Sequence, residues 1–551
     1  MKEDTNKLLY LLLFVLALGV NFSGINVNFF TDDLGLYASI AKNLDYKKDF
    51  FQLFTYNADW LDKPHFTFWA ILLSFKIFGV SLWAYRLPAL LFFIISLVYT
   101  YLFARKYYNW EVAIIAVLIV MTAQHVLLSN TDVRAEPYLM GLVMGSIYHI
   151  SRLEKRFTIK NLLLAALLTA CAIMTKGIFV LAAIYGALLG QLFFQNKLSR
   201  LFKFKWVLLL LLTFIFTLPE FYALYLQFDL HPEKTVFGTN HVSGIKWFLW
   251  DSQFGRFVNN GPINRAQPGS IFFFLHTLLW AFAPWCLLFY YVVFKNLRDI
   301  YRKKELEEYY TLSGGLLLFL LFSVSRFQLP FYTNAVFPLF AVVTAPFCCK
   351  QLNKSEALFR LAAQWVYIIL LPLIIVLLNL LLKPKHDIFF AVDCVSLGMA
   401  ILLVSMRIKE LHKKVFFLSC CVALFSGFFL NTIFYNEIVP YKGEIAAAEY
   451  INKPPFDNFP IYSLKAENNI FQFYCKRPVS LLAPEQFNSF KTQGVAVFYA
   501  SQKTIDYLKG NHSDFKIVRS FVNYPHENIL PSFIRKATRH KVLDHVYLIT
   551  R

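Results

Sequence analysis

The chain has 551 residues, 58% of them hydrophobic and 18% aromatic, with a mean hydropathy of +0.50. Those values exclude an ordinary soluble globule of this length, because many stretches approach the roughly 20 apolar residues that cross a bilayer. The formal net charge of +20 does not call for nucleic acid, and none is expected as a partner, since excess Lys and Arg in a polytopic membrane protein marks cytoplasmic loops.

In chain order, candidate spans fall at about 8–25, 86–104, 111–129, 135–150, 161–175, 177–195, 206–225, 271–294, 310–325, 330–348, 362–382, 387–406 and 415–433. The first follows a charged start without a small-residue cleavage site and reads as an uncleaved span. With the N-terminus inside, every inner connection is basic: Arg105–Lys106, Arg152–Lys160, Lys197–Lys205, Lys295–Lys304, Lys350–Arg360 and Arg407–Lys414. Thirteen spans place the region after the last one outside. The fold class expected is an all-α polytopic membrane protein with a small C-terminal α/β domain. The division is 1–433 for the transmembrane domain and 434–551 for the extracytoplasmic domain.

The first outer loop, 26–85, holds two helix-like stretches. "LGLYASIAKNL" puts Leu34, Tyr37, Ala38, Ala41 and Leu44 on one face, and "FTFWAILLSFKIFGV" is apolar but short. Both read as helices lying along the membrane surface. The tail alternates helix-like and strand-like stretches, from "EIAAAEYI" to "HVYLIT", and carries no catalytic motif. Six of the eight cysteines (Cys171, Cys286, Cys348, Cys349, Cys420, Cys421) lie in or at the ends of apolar segments without metal-like spacing, which reads as packing. Cys475 stands alone in the tail, so no disulfide is expected there.

Charges near a bilayer are costly and collect where they have a use. This topology brings them to the outer face: Asp32 and Asp33, Asp62 and Lys63, Asp132, Arg134 and Glu136, Lys176, Arg256, and Arg326. Each also has a plain structural reading. Thr31 can cap a helix whose first turn holds Asp32 or Asp33. Lys63 can snorkel, Lys176 can anchor at the interface, and Asp132 and Glu136 can pair with Arg134. His231 and His241 read as loop residues, not metal ligands. Together, carboxylates and cations in one outward cavity suit an anionic substrate. A carboxylate can deprotonate a hydroxyl, and Lys or Arg can hold a leaving phosphate. A lipid phosphate is the phosphate carrier that suits an outer membrane surface.

"DDLGLYASIAKNL", "DKPHFTFWAILLSFKIFGVSLWAYRLPAL", "NTDVRAEPYLMGL", "TKG" and "SRFQLPFYTNAVFPL" resemble successive motifs of the GT-C glycosyltransferases related to bacterial aminoarabinose (lipid A) transferase and the protein O-mannosyltransferases. The resemblance covers roughly residues 8–345. It implies transfer of a sugar from a polyprenyl-phosphate donor, such as an undecaprenyl phosphate sugar, to a cell-envelope acceptor: lipid A, another glycan or a protein. It places that reaction at the outer face of a bacterial inner membrane. On the matching positions, Asp33, ahead of Gly35 and Tyr37, is the base that activates the acceptor. Asp132 orients Lys63 or the acceptor. Lys63, Lys176 and either Arg256 or Arg326 hold the donor phosphate, and Asp62, Tyr37, Glu136 and Tyr332 complete the substrate site. Leu34 and Leu36 stand where the family usually has charges, and Gln328 where it has lysine.

Two other readings stay open on the sequence alone. One is a protein O-mannosyltransferase-type enzyme with a Ser or Thr acceptor. The other is a lipid-linked-sugar flippase, which needs polar residues through the bilayer where this chain is largely apolar. Metal dependence is also open: the carboxylates could bind a divalent cation, but no His/Cys cluster supports one.

Overall fold

The computed structural model describes residues 2–56, 58–265, 267–385, 387–464, 468–491, 494–526 and 528–551. The charged side chains that open the chain, residues 2–6, lie outside the described set.

Long apolar runs fold as helices because a helix satisfies its own backbone groups away from water. The first half contains α1 (Lys2–Phe22), α2 (Asp32–Lys47), α3 (Phe66–Phe78), α4 (Leu82–Tyr107), α5 (Trp110–Thr122), α6 (Gln124–Ser129), α7 (Glu136–Lys155), α8 (Ile159–Lys176), α9 (Val180–Phe194) and α10 (Phe204–Leu224). Then come α11 (Gly244–Lys246), which continues as π-helical turns over Trp247–Gly255, α12 (Phe273–Ala281), α13 (Cys286–Tyr301), α14 (Tyr310–Val324), α15 (Phe337–Cys349), α16 (Lys354–Leu382), α17 (Asp387–Arg407) and α18 (Leu411–Phe429). Helix starts follow local chemistry: Ser81, Asn109, Thr158 and Asn353 accept from the backbone N–H groups of Ala84, Val112, Asn161 and Glu356.

The segments expected as spans are largely helical, but 111–129 divides into α5 and α6 at Ala123, and 271–294 divides into α12 and α13. Among the described residues, seven helices are long and apolar enough to cross a membrane, and five shorter apolar helices accompany them. The chain is an integral membrane protein. The basic connections meet at one end of the bundle. There Lys106 donates to the Ser151 carbonyl at 2.7 Å, Arg200 pairs with Glu154, and Lys413 pairs with Glu111 at 2.9 Å. All eight cysteines are free thiols, most of them buried.

The first loop departs from the surface arrangement expected of its sequence. The helix α3 does leave Leu73, Ile77 and Phe78 exposed on one side. The helix α2 is instead enclosed over Leu34–Leu44 except for a half-buried Leu36, because the C-terminal region covers the side opposite α3. Thr31 has the extended backbone of an N-cap, but its hydroxyl donates to Asp132 Oδ1 at 3.0 Å and caps nothing.

Short strands β1 (Phe54–Thr55) and β2 (Ala58–Asp59) pair antiparallel after α2. Beyond α18 the helical path runs on through α19 (Tyr435–Ile438) to Tyr441 and is followed by α20 (Gly443–Ile451). The strands β3 (Ile461–Leu464), β4 (Val479–Leu482), β5 (Val497–Ser501), β6 (Lys516–Asn523) and β7 (Asp544–Thr550) form one sheet in the order β4-β3-β5-β7-β6. The first three of that order are parallel, and β7 is antiparallel to both its neighbours. The helix α21 (Asn469–Tyr474) is the crossover between β3 and β4, and α22 (Gln502–Gly510) follows β5. This is the small α/β unit expected of the tail.

One buried cation ties the outer ends of the helices together. Arg86 is 1% exposed, and its Nε donates to the Thr131 carbonyl at 2.8 Å and its Nη1 to the Ile25 carbonyl at 3.1 Å. Replacing it with Met keeps the stem and removes both bonds. Each orphaned buried carbonyl then costs about 1–3 kcal/mol. Arg86→Met should unfold at a clearly lower temperature in detergent, and an unchanged melting curve would rule this anchoring role out.

Candidate active site

The segment between β2 and α3 carries Asp62 and Lys63, and two groups on α10 and the first loop hold it in place. Glu220, fully buried, accepts the His65 backbone N–H at 3.0 Å through Oε2 and meets His65 Nδ1 at 2.9 Å through Oε1. His65 Nε2 faces the Phe51 carbonyl at 3.0 Å. Both ring nitrogens therefore have oxygen partners, and the turn bearing Lys63 is pinned at backbone and side chain. Neither residue is among the charges singled out from the sequence. The available signal is a glutamate inside the apolar run "LLLLLTFIFTLPEFYAL", where a charge needs a reason.

Around this turn lies a cleft enclosing about 940 Å³ of empty space, part of it open to solvent. Lys63 pairs with Asp62 at 2.8 Å, and Arg256 pairs with the other Asp62 oxygen. Lys176, at the end of α8, pairs with Glu136 at 2.7 Å and sits 4.5 Å from the centre of the Tyr332 ring. Lys63, Lys176, Arg256, Asp62, Glu136 and Tyr332 all line the cleft. Its remaining wall is largely apolar and includes Phe179, Leu318 and Phe322, with Trp247, Ser252 and Gln253 from the π-helical turns. Gly177, which follows Lys176, has φ +98°, and a Cβ there would lie 2.1 Å from the Gln253 amide. Glycine is favoured at that turn by its conformation, and the Gln253 side chain would have to shift for any Cβ there.

Asp33 is not among the residues lining the cleft; its side chain is 51% exposed and bonds Arg134 Nη1 at 2.5 Å. Arg134 also bonds Asp132 at 3.3 Å and stacks 4.5 Å from the Phe331 ring centre. Burial alone would lower the Arg134 guanidinium, but Asp132, Asp33 and Glu136 outweigh it and raise it. Of the two roles expected for Asp132, orienting Lys63 or the acceptor, a direct bond to Lys63 does not form: Asp132 bonds Arg134 and Thr31, while Lys63 bonds Asp62. Glu136 goes to Lys176, not Arg134. Tyr37, buried on α2, lies against Phe68.

Arg326 is not in the cleft. Its side chain is exposed, and only its backbone is engaged, donating to the Phe257 carbonyl at 2.8 Å and accepting from Gly269 at 2.7 Å. Of the two arginines considered for the phosphate, Arg256 is the one brought to the site. Gln328 is buried, and its amide donates to the Phe322 and Ser323 carbonyls. His231 pairs with Glu233 at the surface, and among the described residues no three His, Cys, Asp or Glu gather as a metal site.

The cleft thus offers three cations beside an apolar wall. Charge-assisted donors of this kind hold phosphate oxygens. Comparison with solved structures decides the fold. ArnT from Cupriavidus metallidurans, bound to undecaprenyl phosphate, superposes with a TM-score of 0.76 at 16% identity, covering 98% of this chain and 97% of that one. Its apo form gives 0.74 over the same shares. The fold is that of ArnT.

Sequence comparisons agree with the GT-C-like architecture. Residues 62–222 match the family model described as dolichyl-phosphate-mannose-protein mannosyltransferase. An uncharacterized protein of Aquifex aeolicus is 26% identical over 347 residues, which are 61% of this chain and 63% of that protein. The undecaprenyl phosphate-alpha-4-amino-4-deoxy-L-arabinose arabinosyl transferase 1 of Pseudomonas fluorescens is 22% identical over 350 residues, 63% of this chain and 58% of the relative. The corresponding transferase of Edwardsiella ictaluri is 24% identical over 330 residues, 59% and 56% of the two chains. The aligned regions span less than two thirds of each of these relatives.

Burial also pushes the Lys63 ammonium below its usual value of 10.5, with Tyr332, Asp33 and Glu136 acting in the opposite sense. Its charge is therefore lost at a lower pH than that of an exposed lysine. Affinity for an anionic ligand should fall on the alkaline side before pH 10.5, and Lys63→Arg should move that fall upward. Titrating binding against pH checks this, and a profile identical for wild type and the arginine variant would show that Lys63 does not carry the charge.

Proposed function

We propose that this protein is a membrane glycosyltransferase. It moves a sugar from a polyprenyl-phosphate donor to a cell-envelope acceptor at the outer face of a bacterial inner membrane. The observation that carries this reading is the convergence of Lys63, Lys176 and Arg256 on one part-apolar cleft, with the accessible Asp33, outside the cleft lining, still near enough for its charge to act on Lys63. The likeness to ArnT, and to transferases whose names specify an undecaprenyl phosphate sugar, supports the donor class. The thirteen-span topology, the cytoplasmic N-terminus and the outward C-terminal domain are part of the same reading, supported by the basic connections at the opposite end of the bundle.

The reaction is a single inverting displacement. The acceptor hydroxyl oxygen attacks the anomeric carbon while the bond from that carbon to the phosphate oxygen breaks. Asp33 takes the hydroxyl proton, and polyprenyl phosphate leaves with the bonding pair. Lys63, Lys176 and Arg256 stabilise the charge that grows on the phosphate, which is the interaction that strengthens toward the transition state. Arg134, held by Asp132, orients Asp33. The apolar wall of the cleft takes the beginning of the lipid chain. The charged residues of the cleft gather at one end of the bundle, which favours this reading over a flippase, which needs a polar path through the bilayer.

Asp33→Asn should lose transfer by about 10²- to 10⁴-fold, the usual contribution of a general base, while keeping donor binding and the melting temperature. The assay uses purified protein with a panel of polyprenyl-phosphate sugars and mass analysis of the product. Near-normal turnover by the variant would remove Asp33 from this role. Failure with every donor, together with translocation of lipid-linked sugar in vesicles, would replace the enzyme by the transporter.

A further inference from the structure

Asp32 and Asp33 are neighbours on α2 but serve different partners. Asp33 reaches Arg134. Asp32 reaches the C-terminal region: its Oδ1 accepts the backbone N–H of Asn469 at 2.9 Å and of Ile470 at 3.4 Å, and its Oδ2 accepts Asn469 Nδ2 at 2.7 Å. These are the orphan donors at the start of α21. At the far end of α21, Lys42 Nζ donates to the carbonyls of Phe473 at 2.9 Å, Gln472 at 3.3 Å and Cys475. One helix of the first loop therefore grips both ends of a helix from the tail. The acid meets the positive end and the cation the negative end.

The two helices also touch along their length. A Cβ on Gly35 would lie 2.5 Å from the Ile470 backbone nitrogen, so only glycine allows this approach. Ser39 Oγ donates to the Asn469 carbonyl at 2.9 Å. Thr55 Oγ1 donates to Asn469 Oδ1 at 3.1 Å, which turns the amide so that its Nδ2 faces Asp32. Tyr56 OH accepts from the Asn468 N–H at 2.8 Å.

We infer that α21 of the C-terminal region is a positioning element for Asp33, with Asn469 as its positioning residue. This rests on the reading of Asp33 as the base. A first helical turn is a place where helices fray, and Thr31 does not cap α2 with its side chain. The turn is held instead from two sides, by Asn469 on Asp32 and by Arg134 on Asp33. Removing the Asn469 amide takes away the 2.7 Å bond to Asp32 and leaves its two backbone bonds, which loosens the turn without undocking α21; a misplacement of Asp33 by about 1 Å can cost on the order of 10²-fold in rate.

The test uses the full-length protein in lipid nanodiscs, comparing wild type with Asn469→Ala and the milder Thr55→Val. Hydrogen exchange of amides 31–37 and steady-state transfer kinetics are measured together. Asn469→Ala should speed exchange in that segment by about tenfold or more. It should lower kcat by about tenfold or more while leaving the donor KM within about twofold, because Lys63, Lys176 and Arg256 are held by other contacts. Thr55→Val should move both readouts the same way by less. Unchanged exchange, or faster exchange with kcat retained, would overturn the inference. So would a donor KM that rises in step with a general loss of thermal stability. If Asn469→Ala does not fold, Thr55→Val alone decides by the same criteria. If the wild type turns over no lipid-linked donor, the proposed function fails, and exchange still decides whether α21 orders the start of α2.

Discussion

Every charge at the outer end of this bundle must be either paired or wet, because an isolated ion at a membrane boundary is too costly to keep. That constraint organises the site. Asp62 takes Lys63 and Arg256, Glu136 takes Lys176, Glu220 takes His65, and Arg134 takes Asp132 and Asp33. Four of these pairs, Asp62–Arg256, Glu136–Lys176, Glu220–His65 and Asp33–Arg134, join segments far apart in sequence, so each of them also staples one helix end to another. The electrostatics that suits an anionic substrate is the same electrostatics that assembles the outer face. Under the proposed function, a donor phosphate entering the cleft would find cations already oriented by carboxylates, with little rearrangement left to make.

The helices are legible in the sequence because their apolar runs are long and their basic connections alternate with the charged outer motifs. The segments expected to be helical are largely helical, and the tail has its small mixed sheet. The residues at the site are largely legible too, since Asp62, Lys63, Glu136, Lys176, Arg256 and Tyr332 converge on one cleft. The pairing among them is not. Which cation meets which carboxylate depends on helix rotation and on loop paths, and neither leaves a periodic trace in sequence. For that reason the sequence leaves Asp132 open as a partner of Lys63, which bonds Asp62, or of the acceptor, and offers Arg326 beside Arg256. His65 and Glu220 each look ordinary alone, and their importance appears only when α10 is seen to pass beneath the Lys63 turn.

The enclosure of α2 is hidden in the sequence for a related reason. Its amphipathic pattern fits a helix on a lipid surface as well as one covered by protein. The covering partner begins more than 400 residues later, at Asn469, and nothing local to α2 announces it. Leu34, which stands where a charge is usual in the resembling family, is 2% exposed, so that position serves packing here.

The adjacent acids at the start of α2 have a further consequence. Successive residues on a helix point about 100° apart, from 3.6 residues per turn. Asp32 and Asp33 can serve opposite partners only because the helix has one rotational phase. Shortening the preceding segment by one residue while α2 stays docked would turn the carboxylates by one step, presenting Asp33 to Asn469 and leaving Leu34 facing Arg134. The segment from Ile25 to Thr31 is therefore a ruler. Its length, more than its composition, decides which acid looks toward the substrate.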